Sequence, residues 1–148
     1  MTKTVTRDER GTALVEAVWL VLLLLVPLVY VVLAVFDVQR ASYGVSAAAR
    51  AAARAYTLAP NEASAAARAR AAAAVALRDQ DIDPSQVDLA VRCTPEPDNC
   101  LVPGGVISVD VSHQVRLPLA PSALGGSAPS FRLETSHTVG YGTYREDR

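Results

Sequence analysis

The sequence predicts an α+β protein in which a long N-terminal helix leads into a small antiparallel sheet. Three observations support this fold class: an uncharged apolar run of 20 residues, an alanine-rich stretch after it, and a C-terminal half in which apolar residues recur at every second position. The first two patterns are typical of helices, and the third is typical of strands with one covered face and one wet face. We therefore expect the alanine-rich helices to lie on the apolar face of the sheet.

The uncharged run extends from Ala17 to Phe36. A helix of this length is about 30 Å long, which matches the hydrocarbon core of a bilayer. Burying it inside a soluble protein would require a larger core than a chain of 148 residues with 5% aromatic residues can build. Pro27 should kink this helix, which membrane helices tolerate. The run therefore predicts one transmembrane helix.

The charges that flank the run predict its orientation. Lys3, Arg7 and Arg10 precede it, and positive residues close to a span stay in the cytoplasm. Arg40 soon after the span opposes this preference, but the only sizeable domain, with both cysteines, is C-terminal. We expect a single-pass cell-membrane protein with a cytoplasmic N-terminus and an extracytoplasmic C-terminal domain.

The next segment is dominated by alanine, which is the best helix former. Between Ala41 and Ala76, 19 of 36 residues are alanine. Arg40, Arg50 and Arg54 share one side of a helical wheel, so small apolar residues occupy the remaining faces. Small residues allow helix backbones to approach closely, which predicts a helix that packs against other helices. A low-complexity spacer is the alternative.

A second helix is predicted after Pro60, which interrupts the alanine-rich run. Asn61 is a typical N-cap residue, and Glu62 would then lie in the first turn, where the helix dipole favours an acidic side chain. We expect this helix to continue towards Arg78.

Three strands are predicted from the period-two segments, with turns at Pro103–Gly105 and in the PSALGGSAPS stretch. Their apolar phases are Val87, Leu89 and Val91; Ile107, Val109, Val111, His113, Val115 and Leu117; and Phe131, Leu133, Thr135, His137, Val139 and Tyr141.

Cys93 and Cys100 are the only cysteines. A zinc site usually has more closely spaced pairs and further ligands, so we expect no metal. A disulfide that closes a small loop fits an exported domain, with two free thiols as the alternative.

Few other residues suggest chemistry. His113 and His137 could form a cross-strand pair that binds a metal or senses pH, although partly buried histidines with satisfied hydrogen bonds are more common in such positions. Because we find no carboxylate pair, nucleophile motif or phosphate loop, we expect no enzyme, no cofactor and no small-molecule substrate. A net charge of −1 also argues against nucleic-acid binding.

Glu16 is the most informative single residue, since it lies at the start of the apolar run. A carboxylate at the edge of a bilayer costs free energy and usually has a function. The alternative is an acidic residue favoured by the dipole in the first turn of a helix.

The segment RGTALVE (10–16), followed directly by a long apolar helix, resembles the prepilin signature. In that signature a peptidase cuts after a glycine, and a glutamate is the fifth residue of the mature chain. The order of apolar helix, Ala/Arg helix (AAARAAARA, 47–55) and short strands is similar to that of TadE-like proteins. The resemblance implies that Gly11 precedes the cut, that Thr12 becomes the first residue, and that Glu16 is the acidic residue of the pilin helix.

The resemblance also implies a function and a domain organisation. Residues 1–11 would be a cytoplasmic leader, 12–58 the N-terminal helix with its span at 17–36, and 59–148 a small extracytoplasmic domain. The chain would act as a minor pilin or assembly factor in tight-adherence (Flp/type IVb) pilus biogenesis. Its partners would be the membrane, other pilin-like subunits, a prepilin peptidase and the assembly platform.

Two alternatives to this function remain. Flp-type signatures often carry an aromatic residue after the glutamate, whereas this chain has Ala17, so an uncut and permanently anchored assembly factor is one alternative. The other is a Sec-exported small extracellular binding protein with a signal peptide or a membrane anchor. Against it, the apolar run is longer than a typical signal-peptide core, and small-residue sites such as 46–48 come late.

Overall fold

The computed structural model describes residues 10–116 and 130–145, with side chains from Ala13 onward. It is α+β, as predicted. Its elements, in chain order, are α1 (Arg10–Thr57), α2 (Glu62–Arg78), a 3-10 turn (Pro84–Gln86), β1 (Val87–Thr94), β2 (Val106–Arg116) and β3 (Ser130–Gly140). Residues 1–9 of the predicted leader and residues 121–129 of the PSALGGSAPS connection lie outside the described residues. The chain divides into two compact units, Met1–Val35 and Phe36–Arg148.

The described part of the first unit is the apolar part of α1. Its large hydrophobic side chains are exposed along its whole length, as at Leu23, which is 75% exposed. The helix runs without interruption through Pro27. By length and composition, α1 is the one helix among the described residues that could cross a membrane, a test that a signal sequence also passes.

In the second unit, the remainder of α1 has a buried face built mainly from alanine. Ala48, Ala49 and Ala52 are completely buried, whereas Arg50 and Arg54 are exposed, as the helical wheel predicts. The backbone also approaches closely at Gly44, where an added Cβ would lie 2.5 Å from Cδ1 of Ile82. The alanine-rich run is therefore a packing surface within this unit.

Helix α2 begins and ends close to the predicted residues. The side chain of Asn61 accepts a hydrogen bond from the Ser64 backbone N–H at 3.0 Å, and Glu62 lies in the first turn. The buried residues recur at every fourth position, so α2 presents one narrow apolar stripe: Ala65, Ala69, Ala73 and Leu77.

The sheet is antiparallel, with β2 between β1 and β3. The inner face of β2 is fully buried at Ile107, Val109 and Val111, and these residues share one core with the alanines of both helices. This confirms that the alanine-rich helices lie on the apolar face. On the opposite face, polar side chains pair across strands, as in the ion pair of 2.6 Å between Arg92 and Asp110.

The strand limits differ from the sequence prediction only at their ends. Tyr141 lies just beyond β3, where it is buried and its backbone N–H donates to the Gly105 carbonyl at 2.8 Å. Leu117, predicted to close the second strand, lies outside the described residues.

Candidate assembly helix and polar clusters

Glu16 lies in the second turn of α1, because the helix begins at Arg10. The dipole effect falls off within the first turn, so a helix-start preference does not explain this residue well. Its side chain is exposed, and it is the only charged residue between Ala13 and Phe36. Within 13–116 and 130–145, no side chain forms an ion pair with it. Between Ala13 and Phe36 the helix thus carries a single carboxylate on an otherwise apolar surface, with no ion-pair partner among the described side chains.

The predicted processing residues lie just before this carboxylate. The backbone of Gly11 and Thr12 is part of α1, while the Thr12 side chain lies outside the described residues. Residues four apart in a helix lie on the same face, which places position 12 and Glu16 one turn apart.

The two cysteines lie at disulfide distance. Cys93 is near the end of β1, and its Cα atom is 5.2 Å from that of Cys100, inside the usual range for a disulfide. Both residues are buried. The pair closes a small loop against the core, as the sequence predicts for an exported domain.

A buried polar cluster that sequence reasoning missed joins three elements beside this disulfide. The Tyr56 hydroxyl, near the end of α1, donates a hydrogen bond to Oε1 of Glu62 in the first turn of α2. The same hydroxyl lies 3.3 Å from Sγ of Cys100. Glu62 Oε2 is also buried and has no partner among the described residues. Burial, together with the hydrogen bond and the charge of Glu62, raises the pKa of the Tyr56 hydroxyl well above its ordinary value.

The two histidines do not form a pair. His113 lies opposite Leu133 and His137 lies opposite Val109, so they are four positions apart along the sheet. His113 is buried and its Nδ1 atom lies 3.1 Å from the Gln86 carbonyl oxygen, which accepts the hydrogen bond. Among the described residues, no group of three or more His, Cys, Asp or Glu side chains could hold a metal ion.

A mixed-charge cavity of about 350 Å³ lies in the second unit. The first turn of α1 in this unit supplies Asp37 and Arg40. Arg40 lies 3.4 Å from each of Asp37 and Asp81, so it bridges α1 to the turn after α2. We call these residues, with Asp83 and Arg116, the polar cavity.

Two signals could have indicated these clusters from the sequence. Tyr56 is the only aromatic residue within the AAARAYTLAP stretch, and Asp37 and Arg40 are the first charges after the apolar run. Their partners come from distant parts of the chain, and no local pattern predicts those contacts. The same holds for Arg145, which donates to the Thr57 carbonyl at 2.7 Å and lies over the ring of Tyr141.

No protein-family model, curated protein or solved structure matches this chain. The resemblance to TadE-like proteins therefore rests on the residues of α1 and on the order of elements.

Proposed function

We propose that this chain is a membrane-anchored, pilin-related subunit, similar to TadE-like proteins, that acts as a minor pilin or assembly factor in tight-adherence pilus biogenesis. The observation that carries the proposal is the composition of α1. Its first part is an exposed apolar helix with a single carboxylate, and one face of its last part is buried in the core of a small α+β unit.

The carboxylate of Glu16 suggests how such subunits would assemble. In a membrane it can stay near the headgroups, but in a bundle of subunit helices it would be buried and would need a cationic partner. Cleavage after Gly11 would create an amino group on Thr12, which has the required charge. Pairing within one chain or between neighbours would set the register of the helices, as single polar residues do in coiled coils.

The packing of α1 opposes the alternative of a Sec-exported binding protein. Cleavage at the small-residue site 46–48 would remove Ala41, Val45 and Ala48, all of which are buried in the core of the second unit. A mature protein of this kind would expose the facing core residues to water, at a cost of about 25 cal/mol for each Å² of apolar surface.

Glu16→Ala tests the assembly role directly. We expect normal membrane insertion, because removing a charge from a span favours partitioning. We also expect loss of crosslinking to partner pilins, and lost or reduced surface pili. Val15→Ala, at the adjacent exposed apolar position, is the matched control and should assemble normally. Normal piliation of the Glu16→Ala strain would refute the assembly role.

Mass and topology measurements test the anchor separately. Cleavage after Gly11 leaves a chain that starts at Thr12, whereas Sec cleavage removes the whole apolar run. Loss of residues 1–11 also removes three basic and two acidic residues, which shifts the net charge from −1 to −2. A C-terminal reporter that is active only in the cytoplasm would contradict the proposed orientation.

A further inference from the structure

The polar cavity lies beside the first residues that follow the apolar run. Asp37 comes directly after Phe36, and Arg40 is four residues after Phe36. At 1.5 Å per residue, Arg40 lies about 6 Å further along the helix than Phe36. The headgroup layer of one leaflet is roughly 5–7 Å thick, so a span that ends at Phe36 would place Arg40 at headgroup depth.

The charges of the cavity have both signs and come from separate elements. Its walls combine Arg40 of α1 and Arg116 at the end of β2 with Asp81 and Asp83 from the turn after α2. Arg40 is shared between two carboxylates, whereas Arg116 has no ion pair within the described ranges. Arg116 therefore has no carboxylate partner in the described part of the chain, and the cavity is lined by side chains of both signs.

The orientation of Asp83 is set locally. Its carboxylate accepts the Ser85 backbone N–H at 2.9 Å, and this hydrogen bond lowers the pKa of Asp83. Asp83 therefore presents a negative charge at the rim of the cavity. The nearby His113 ring donates through Nδ1 to the Gln86 carbonyl, which leaves Nε2 as a lone-pair acceptor in the neutral tautomer.

We propose that the polar cavity binds the headgroup of a phospholipid that carries both a phosphate and a primary ammonium, as in phosphatidylethanolamine. Arg116 and Arg40 would hold the phosphate, and the aspartates would accept hydrogen bonds from the ammonium. A quaternary ammonium cannot donate these hydrogen bonds, and a glycerol headgroup lacks the positive charge. This proposal rests on the membrane anchor of the proposed function, and it adds a lipid partner that holds the second unit at the bilayer surface.

The test uses the full chain in nanodiscs with equal amounts of phosphatidylethanolamine, phosphatidylcholine and phosphatidylglycerol. Native mass spectrometry then identifies the lipids that the ejected protein retains. We expect the wild type to retain phosphatidylethanolamine roughly tenfold over each of the other two lipids, the ratio expected for one charge-assisted hydrogen bond. Asp83→Asn should abolish this preference, whereas Arg116→Gln should lower the retention of all three lipids, because all three carry the phosphate. In Asp83→Asn the amide oxygen still caps the turn at Ser85, so the fold is retained.

Two exposed charges outside the cavity provide matched controls. Arg68→Gln on α2 and Asp98→Asn in the disulfide loop should keep the preference. Far-UV circular dichroism of all four variants identifies any variant that fails to fold. If one of the two cavity variants does not fold, the other cavity variant tests the proposal. Competition by free glycerophosphoethanolamine at concentrations near those of the lipid would assign the site to a soluble phosphodiester and overturn the lipid proposal.

The remaining outcomes separate this proposal from the proposed function. Equal retention of the three lipids, or a preference for phosphatidylglycerol, refutes the headgroup site while leaving the anchor intact. Failure of the chain to enter nanodiscs refutes the anchor, and the headgroup site with it.

Discussion

Replacing Tyr56 by phenylalanine should destabilise the second unit more than any other loss of a single hydroxyl group there. The hydroxyl is buried, donates to Glu62 and lies against Cys100, so it links the end of α1, the start of α2 and the disulfide loop. Phenylalanine preserves the ring and its packing and removes only the donor.

The magnitude follows from what the substitution leaves behind. Glu62 Oε2 is already without a partner among the described residues, so Tyr56→Phe leaves neither carboxylate oxygen with a side-chain donor. Hydrogen bonds to charged groups contribute about 1.5–3 kcal/mol, and stranding a buried acceptor costs its full desolvation penalty. We expect the free energy of unfolding to fall by about 2–3 kcal/mol. In a Glu62→Gln background the same substitution strands no charge and should cost only about 1 kcal/mol.

Denaturant unfolding of the full chain in mild detergent, followed by near-UV circular dichroism, measures this change. Tyr43→Phe is the matched control, because Tyr43 is 70% exposed and its substitution should stay within about 0.5 kcal/mol. A cost for Tyr56→Phe as small as that of Tyr43→Phe, or an equal cost in both Glu62 backgrounds, would refute the role of this cluster.

Three further predictions concern the same unit. The raised pKa of Tyr56 means that the folded state keeps its proton where the unfolded chain loses it, so stability should fall as pH rises above about 10, and absorbance at 295 nm should show that Tyr56 ionises well above pH 10. Non-reducing mass spectrometry should find Cys93 bonded to Cys100, and two free thiols in the native protein would contradict this. Replacing both cysteines by alanine should lower the free energy of unfolding by about 2.5 kcal/mol, because the loop entropy of the unfolded chain is no longer restricted. Arg145→Gln should lower the free energy of unfolding by about 1 kcal/mol in denaturant unfolding, because the hydrogen bond to the Thr57 carbonyl is lost. Arg145→Lys should recover only part of this loss, and full recovery by lysine would argue against the directed guanidinium contact.

The local patterns of the sequence predicted most of the fold. Period-two alternation placed all three strands, since each has an inner face more buried than its outer face, and the Pro60–Asn61 pair marked the start of α2. Contacts between distant segments could not be predicted in this way. The partners of Tyr56 and Arg40 depend on how α1, α2 and the loops pack together. Hydrophobic periodicity and helix propensity contain no information about such tertiary contacts.

The function is less accessible to the sequence than the fold, for a physical reason. Glu16 has no partner among the described side chains, so no contact within the described part of the chain indicates its role. The helix limits do inform its interpretation, because a start at Arg10 moves this carboxylate out of the first turn.

The alanine-lined packing of α1 also determines which substitutions the protein can accept. In most cores, side chains are large and truncation is the damaging change, because it leaves a cavity. Here Ala48, Ala49 and Ala52 have almost nothing to truncate, so replacement by glycine costs mainly helix propensity, about 1 kcal/mol. Any larger side chain must force the elements apart, as the space at Gly44 illustrates. Saturation mutagenesis of the buried alanines of α1 should therefore show an upper limit on the tolerated side-chain size, whereas an ordinary core shows a lower limit.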